Sequence, residues 1–452
     1  MIGAASATIA TMIYAIPISI RMTSHGIRTI NQSPVEASDS IGSTKLQTLF
    51  KVQLPMAKQM IVLGVNQTVM AAVSFVVIAA LIGAPGLGKP VVSALIIRNV
   101  GQGFVAGLAV VFLAILLDRS TSAAAKKQIS YVPPSRNSIR NRRILTGLLG
   151  IGTAISIYLS QTMLWAAVWP TNIDISKQVA VFTNDATKWI LDNLYFLTVG
   201  FKDLISYVVL NPLETLLASS PWYLTVGMIV ALALIISEFR IAVLALVLAM
   251  LIVISGLWYE SMITLTQTIV GTLLTMLVGI ALGIWTGRNE RVERFLRPFL
   301  DAGQTLPAFV YLVPMLGLFG PTRFTAIATG IVYAIPIVVK IVGEGIRSVP
   351  YSQVEAAMAA GSTTRQIITK VQLPAAKRTM LLAVNQGLIY VLAVVVIGGF
   401  VGAGGLGYLV IVGNSKPELQ GKGLIAGLCI LLLGVIFDRI MQSSARTSAH
   451  RS

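Results

Sequence analysis

Residues 83–90 come closer to a catalytic motif than any other segment of this chain. Their sequence, Gly-Ala-Pro-Gly-Leu-Gly-Lys-Pro, has the glycines and the lysine of a loop that cradles nucleotide phosphates. Pro90, however, stands where such a loop needs a serine or threonine hydroxyl to bind magnesium, and no strand is predicted before it. Because no other stretch suits ATP, we expect nucleotide hydrolysis to belong to a separate chain.

Other residues capable of catalysis or metal binding are few and scattered. The single cysteine, Cys429, lies in an apolar segment, so the sequence offers neither a disulfide framework nor a cysteine-based metal site. The two histidines, His25 and His450, are far apart, and the second lies in a polar tail. The sequence therefore predicts a chain with no catalytic residues, no metal ligands and no cofactor of its own.

Six polar residues within or at the edge of apolar segments could instead line a path through a membrane. They are Asn66, Gln67, Gln304, Thr305, Asn385 and Gln386. A polar side chain inside a membrane needs a partner or a watery cavity, which makes each residue a candidate for the translocation path. Hydrogen bonding between neighbouring helices is the alternative, and it is the more frequent use of such residues.

The polar segment 352–377 has the pattern of two short helices joined by a glycine. Ser352 and Glu355 have the spacing of a capping box, so a helix should begin there and run through the alanines to Gly361. Ser362 can cap a second helix, and Pro374 marks where that helix stops or joins the next apolar segment.

Residues 33–58 repeat this pattern. Ser33 and Glu36 have the same capping-box spacing, and both segments contain the run Lys-Val-Gln-Leu-Pro, at 51–55 and 370–374. Roughly half of the aligned positions are identical, as expected for an internal duplication. The match extends to Tyr-Ala-Ile-Pro at 14–17 and 333–336. We interpret the chain as two parallel copies, of which the first is truncated.

Composition places the chain in a membrane. Hydrophobic residues make up 55% of the sequence and charged residues 11%, against about a quarter charged in a soluble domain. The net charge of +17 does not indicate nucleic-acid binding, because the basic residues cluster in short loops beside apolar segments. We therefore expect an all-α, multi-pass membrane protein, surrounded by lipid.

Eleven segments are long and apolar enough to be candidate spans. They are 2–22, 59–82, 100–117, 143–163, 222–237, 240–258, 262–286, 304–320, 324–343, 377–401 and 421–440. Residues 222–258 are divided at Ser237–Arg240, because a single helix would leave two charges in lipid.

Loop charges give an orientation and a domain plan. The basic linker 119–142 belongs in the cytoplasm, and counting spans from it places both polar segments on the same side. The predicted domains are a first repeat, 1–118, with three spans, a second repeat, 143–440, with eight, and a cytoplasmic tail, 441–452. The loop 164–221 then lies outside, as amphipathic helices in the membrane interface or as a small packed subdomain.

The segments 33–58 and 352–377 resemble the "EAA" loops of ABC-importer permeases, which dock on a cytoplasmic ATPase. Further matches are similar to permeases for glycine betaine and proline betaine: residues 301–314, the Asn-Gln pairs at 66–67 and 385–386, residues 402–407, and Asp438-Arg439. The resemblance implies a type I importer permease fold and a location in the bacterial cytoplasmic (inner) membrane. It assigns ATPase coupling to Glu36, Ala37, Gly42, Leu54, Pro55, Glu355, Ala356, Ala357, Gly361, Leu373 and Pro374.

The resemblance also implies partners. ABC ATPase subunits would bind ATP and magnesium, and an extracytoplasmic substrate-binding protein would deliver the substrate. The six tryptophans lie near the predicted membrane surfaces or in the outer loop, so we expect no aromatic cluster at mid-membrane and a weakly polar route. Because the first repeat lacks counterparts of the spans before 320, we also expect a longer reading frame upstream or a second permease chain.

Three alternatives stay open at this point. The chain could be an ABC permease for another small polar solute such as an amino acid, an ion-coupled secondary transporter, or a membrane scaffold that binds a cytoplasmic partner. A secondary transporter commonly has ionisable residues near the midplane. Here the acidic residues Asp118, Glu238, Glu260, Asp301 and Asp438 fall at predicted span ends, which counts against that alternative.

Overall fold

The computed structural model describes residues 3–81, 83–127, 136–163 and 174–450. These residues are helical almost throughout and contain no strand, which confirms the predicted all-α fold. The chain divides into two compact units. One consists of residues 8–75 and 112–182, and the other of residues 1–7, 76–111 and 183–452.

The helices of the first part of the chain are α1 (Ala4–Arg28), α2 (Ser33–Ser40), α3 (Lys45–Thr48), α4 (Leu54–Met56), α5 (Lys58–Leu81), α6 (Gly88–Ile96), α7 (Val100–Lys127) and α8 (Arg136–Thr162). A π-helical turn, Leu49–Gln53, joins α3 to α4.

The middle of the chain contains α9 (Ser176–Asn193), α10 (Phe201–Ile205), α11 (Asn211–Ala218), α12 (Trp222–Ile236), α13 (Phe239–Ile254) and α14 (Trp258–Arg288). The π-helical turns Phe196–Gly200 and Ser206–Leu210 make 196–218 one continuous helical segment.

The last part contains α15 (Glu290–Thr305), α16 (Ala308–Phe319), α17 (Arg323–Arg347), α18 (Tyr351–Ala359), α19 (Thr364–Gln366), α20 (Leu373–Ala375), α21 (Lys377–Ile397), α22 (Gly405–Ser415) and α23 (Gln420–His450). A π-helical turn, Ile367–Gln372, joins α19 to α20.

Nine helices of the described residues are long and apolar enough to cross a membrane. They are 4–28, 58–80, 100–121, 144–162, 196–218, 258–288, 323–347, 377–401 and 417–444. The predicted spans 222–237 and 240–258 correspond to the shorter helices α12 and α13. The break between them falls where two charges predicted it, and Ser237 Oγ there donates to the Ile440 carbonyl over 3.1 Å.

The predicted span 304–320 is corrected by the structure. Helices α15 and α16 meet at 99°, so Gln304 and Thr305 end an amphipathic helix instead of beginning a span. Pro307 is the physical reason, because its φ of −60° and ψ of 140° start α16 in a new direction. The residues before the bend, Glu290–Thr305, form the helix α15, and the Asn289 side chain accepts from Arg291 N over 2.9 Å at its start.

The segment 196–218 was expected in an outer loop, yet it is apolar enough to be a span. It packs along the beginning of α17: Leu210 is buried with Val270 and Ile327, and Asn211 Oδ1 accepts from Arg323 over 3.1 Å. Glu214 forms an ion pair with Arg323. Residues 164–173 of the expected loop lie outside the described residues.

Helices also extend beyond the predicted domain boundaries. Helix α7 continues past residue 118 to Lys127, and α8 begins at Arg136, so both enter the expected linker 119–142. Residues 128–135 are not among those described. The expected tail, 441–452, continues α23 as far as His450. Helices α7, α8 and α23 therefore run on beyond their apolar segments, because alanine, lysine, arginine and serine tolerate a helix well.

Small residues let the central helices α14 and α17 approach closely. A Cβ on Gly279 would lie 2.4 Å from the Val338 side chain, and one on Gly283 would lie 2.5 Å from Val342. In lipid the hydrophobic effect does not drive helices together, and a row of small residues instead allows close van der Waals packing between them. This packing fixes α17, the helix that leads directly into the segment 352–377.

Candidate coupling loops and translocation path

The second polar segment, 352–377, hereafter the second loop, is built around the end of α18. Gly361 has φ +74°, and its N–H donates to the Met358 carbonyl over 2.9 Å. Ser362 N–H donates to the Ala357 carbonyl over 3.0 Å. This pair of bonds is a Schellman motif, which needs a left-handed residue and therefore favours glycine.

The first polar segment, 33–58, hereafter the first loop, ends α2 in the same way. Gly42 has φ +79°, and its N–H donates to the Asp39 carbonyl over 3.0 Å. Ser43 N–H donates to the Ser38 carbonyl over 3.2 Å. Both glycine turns thus agree with the sequence-based prediction for Gly42 and Gly361.

The predicted capping boxes are wrong in position. Helix α18 begins after Pro350, which adopts ψ 129°, so Ser352 already lies within the first turn and caps nothing. At α2, the Asn31 side chain accepts from Ser33 N over 3.0 Å, and Pro34 follows at once. Ser33 and Ser352 are therefore helical residues, not caps.

The capping boxes instead open the second helix of each loop. Thr44 and Gln47 form one, and Thr363 and Gln366 form the other, with each threonine hydroxyl accepting a backbone N–H and each glutamine returning the bond. The predicted cap at Ser362 is thus off by one residue. In both loops a π-helical turn then leads to Leu-Pro, at Leu54–Pro55 and Leu373–Pro374.

The surface of both loops exposes most of the residues assigned to ATPase coupling. Glu36, Ala37, Glu355 and Ala356 are exposed, while Ala357 is half-buried. Neither glutamate side chain has a hydrogen bond or ion pair with another described residue. Gln372 connects the second loop to α14 by accepting from Arg288 over 2.5 Å. The second loop is therefore held to the helix bundle by a hydrogen bond, whereas the exposed side chains of Glu36 and Glu355 are available to a partner.

The two loops differ in their interior and at their tip. Ser38 and Thr48 are buried and hydrogen-bonded over 3.1 Å in the first loop, whereas Ile367 occupies the place of Thr48 in the second. The tip of the first loop is apolar, with Ile41 83%, Leu46 67% and Phe50 64% exposed.

Two of the candidate path residues join helices to each other. Asn385 Nδ2 donates to Asp438 Oδ1 over 3.0 Å, which ties α21 to α23. Asn66 Nδ2 donates to Asp118 Oδ1 over 3.2 Å, which ties α5 to α7 in the same way. Both asparagines are buried. Their geometry matches the alternative of helix-to-helix hydrogen bonding, and a role in translocation stays a prediction for both.

The other candidate path residues are dispersed. Gln304 Oε1 accepts from Lys340 over 2.6 Å, and Lys340 also forms an ion pair with Asp301 over 2.5 Å. Gln67 is exposed and Gln386 is half-buried, while the side chain of Thr305 lies outside the described atoms. Sequence reasoning missed Lys340, although a lysine in an apolar segment, seven residues before Arg347, lies on one helical face with it.

A cluster of three tyrosines was also missed. The ring centroids of Tyr311 and Tyr333 lie 5.9 Å apart, and those of Tyr333 and Tyr390 lie 5.3 Å apart. Tyr333 and Tyr390 stand well inside α17 and α21. The expectation of no aromatic cluster at mid-membrane considered only tryptophans, and it overlooked these tyrosines, which come from three separate helices.

The glycine-rich residues 402–407 form a tight turn against α14. Leu406 N donates to Thr264 Oγ1 over 2.9 Å, and Gln267 Nε2 donates to the Ala403 carbonyl over 2.7 Å. A Cβ on Gly405 would lie 2.5 Å from Thr264 Oγ1. Residues 83–88, which have a similar sequence, lead into α6. The element before them is the helix α5 and not a strand, so they do not form the strand–loop–helix unit of a phosphate-binding loop.

The fold and the two loops define a class, the multi-pass helical protein that carries two short helical loops of like geometry. More than half of the chain, residues 2–128 and 279–448, matches the family described as binding-protein-dependent transport system inner membrane component. The chain belongs to this family. It is accordingly a multi-pass protein of the bacterial inner membrane and a component of a transport system.

Curated relatives are permeases of transport systems. The chain is 34% identical, over 98% of its own length and 62% of the relative's, to the trimethylamine N-oxide transport system permease protein TmoV of Pelagibacter ubique. It is 30% identical to TmoV of Ruegeria pomeroyi, over 98% and 67%. It is 33% identical to the glycine betaine/proline betaine transport system permease protein ProW of Escherichia coli, over 60% and 76%. The chain thus spans about two thirds of the TmoV relatives.

Proposed function

We propose that this chain is the membrane-spanning permease of an ATP-driven importer for small methylated amines such as trimethylamine N-oxide, glycine betaine or proline betaine. The observation that carries the proposal is the shared geometry of the two loops. Each has a glycine at positive φ, a Thr–Gln capping box and a π-helical turn before Leu-Pro. Two like loops suit two like ATPase subunits, and a tandem duplication would account for them.

Coupling would act through the rigid connection of each loop to the bundle. The second loop joins α17 directly to α21 and is tied to α14 through Arg288 and Gln372. Closure of ATPase subunits, which would carry the ATP and magnesium, would therefore move three helices together. The exposed carboxylates of Glu36 and Glu355 are available to basic groups on those subunits.

The substrate class is supported by the relatives and by the tyrosine cluster. The relatives are named for trimethylamine N-oxide and for glycine betaine/proline betaine. Tyr311, Tyr333 and Tyr390 offer aromatic faces, which attract the positive end of a methylated amine. A substrate-binding protein outside the membrane would make the tight selection, and the permease would supply a route for a molecule without net charge.

Reconstituted uptake would test the substrate. The complete transport complex that contains this chain, with its ATPase and its binding protein, is placed in proteoliposomes, and uptake of radiolabelled glycine betaine is competed by trimethylamine N-oxide, choline and histidine. We expect competition by trimethylamine N-oxide and none by histidine. If histidine is carried and methylated amines are not, the chain is instead an ABC permease for amino acids.

A further inference from the structure

One side of α17 is covered by the helix pair α15 and α16. The residues on that side are Tyr333, Pro336, Lys340 and Arg347, and the residues that meet them are Tyr311, Gly303, Asp301 and Glu293. At one end, Lys340 Nζ lies 2.5 Å from Asp301 Oδ1, and Arg347 lies 2.6 Å from Glu293 Oε2. The two carboxylates stand eight residues apart on α15, so both basic groups are neutralised.

The other end of this side is packed without charge. A Cβ on Gly303 would lie 2.8 Å from Pro336 Cγ, so the two helices touch there. Tyr311 stacks near Tyr333, and its hydroxyl donates to the Gly303 carbonyl over 2.8 Å. Pro336 is fully buried as a result.

Helix α1 carries the same row of residue types at the same spacing. They are Tyr14, Pro17, Arg21 and Arg28. All four are exposed, and Tyr14 is 51% accessible despite its ring contact with Phe75. Among the described residues, neither arginine has an ion-pair partner. These four exposed residues of α1 thus match the four residues of α17 that α15 and α16 cover, but on α1 no described helix covers them.

The neighbouring face of α1 shows the same difference. Ile20 is 62% exposed, whereas Val339, at the equivalent place on α17, is fully buried. Ile16, Ile20, Thr23 and Ile27 line an open groove of about 590 Å³. On α17 the equivalent face is closed by the glycines of α14, which let Val338 and Val342 pack against its backbone.

We propose that these two faces of α1 are the interface for a further set of membrane helices with the chemistry of α14 to α16. The partner has one helix with small residues, which fills the groove beside Ile20. It has a second helix with two carboxylates eight residues apart, which pair with Arg21 and Arg28. On α17 the equivalent row is covered by protein, through two ion pairs and the close approach of Gly303 to Pro336, so a protein segment is the occupant. Cover by lipid alone is the alternative that the test excludes or supports.

The interface is tested by fusing a second copy of α14 to α16 to the start of the chain. Residues 256–322 of this sequence are fused ahead of Ala4, the equivalent of Arg323, which reproduces the connection between Thr322 and Arg323, and Cys429 is replaced by serine. In the structure a Cβ on Gly303 would lie 3.6 Å from Pro336 Cβ, a separation that suits a disulfide. We therefore expect Gly303→Cys in the graft to form a disulfide with Pro17→Cys under mild oxidation.

Three comparisons make the test decisive. Gly303→Cys with Pro336→Cys in the ungrafted part of the same fusion reports correct folding. Ser19→Cys is the matched control, because Ser19 lies about 200° round the helix from Pro17 and lines the groove, where it would meet the helix with small residues and not the one with Gly303. It should react at least tenfold more slowly. Arg21→Glu should slow the reaction at Pro17, and Asp301→Lys in the graft should restore it.

Failure of the disulfide at Pro17 while the Gly303–Pro336 pair forms would overturn the proposal, and so would equal reaction at Ser19. A charge reversal that the graft cannot restore would overturn the assignment of the carboxylates. If the fusion itself misfolds, the graft is expressed as a separate polypeptide beside the full chain, and the same disulfide rates decide between the two outcomes.

Discussion

Gly361 is the residue on which the shape of the second loop depends. Its φ of +74° is costly for a β-branched residue, while nothing lies within 4 Å of the place where a Cβ would stand. We expect Gly361→Val to destabilise the turn by about 1–2 kcal/mol through backbone strain alone. Stimulation of the ATPase and uptake should fall together, more than the amount of protein in the membrane does.

Gly361→Asn is the matched control, because asparagine tolerates the left-handed region. It should retain most of the stimulation. If Gly361→Val stimulates the ATPase as the unmodified protein does, the second loop is not the coupling element.

Tyr333 stands between the other two tyrosines and should matter to the substrate. We expect Tyr333→Ala to raise the KM of uptake about fivefold, because the central aromatic face is lost, and Tyr333→Phe to leave it close to the original value. Tyr408→Ala serves as a control, since that ring is 48% exposed and outside the cluster. An unchanged KM in Tyr333→Ala would remove the cluster from the translocation path.

At the scale of helices, the Asn385–Asp438 bond distinguishes packing from transport. Replacing Asn385 by leucine leaves the Asp438 carboxylate without its partner on α21, which should cost about 1–3 kcal/mol. We expect a lower Tm in detergent for Asn385→Leu and for the equivalent Asn66→Leu, whereas Gln386→Leu should leave Tm unchanged. A raised KM with an unchanged Tm would place Asn385 in the path instead.

The loops as elements should bind their ATPase subunits unequally. The first loop exposes Ile41, Leu46 and Phe50, while threonine stands at the equivalent of Phe50 in the second, as Thr369. Large exposed apolar side chains are common anchors of protein interfaces. Phe50→Thr should therefore weaken binding of the isolated ATPase by about tenfold, and Thr369→Ala should change it little. Equal effects would show that the apolar tip lies outside the interface.

For the whole molecule, features set by neighbouring residues were predictable and features set by distant ones were not. The glycine turns at Gly42 and Gly361 and the break at Ser237–Glu238 follow from local backbone and charge rules. The ion pair of Lys340 with Asp301 and the meeting of three tyrosines each need residues from different helices. The 99° bend after Thr305 is an exception among local features, because the apolar window 304–320 concealed the effect of Pro307. The capping boxes failed because Pro350 and Asn31 already start the helices, a competition that spacing alone does not reveal.

The energy source is the property of the whole molecule that separates an ATP-driven permease from a secondary transporter. Lys340 and Asp301 form the kind of ion pair that proton-coupled carriers use, but the carboxylate is 55% exposed and lies on an amphipathic helix, which indicates a structural pair. We expect uptake to require ATP on the ATPase side and to persist when an uncoupler collapses the proton gradient. Asp301→Asn should lower Tm while leaving this ATP requirement intact. Uptake that follows the gradient without ATP, and is lost in Asp301→Asn, would instead make the chain an ion-coupled carrier.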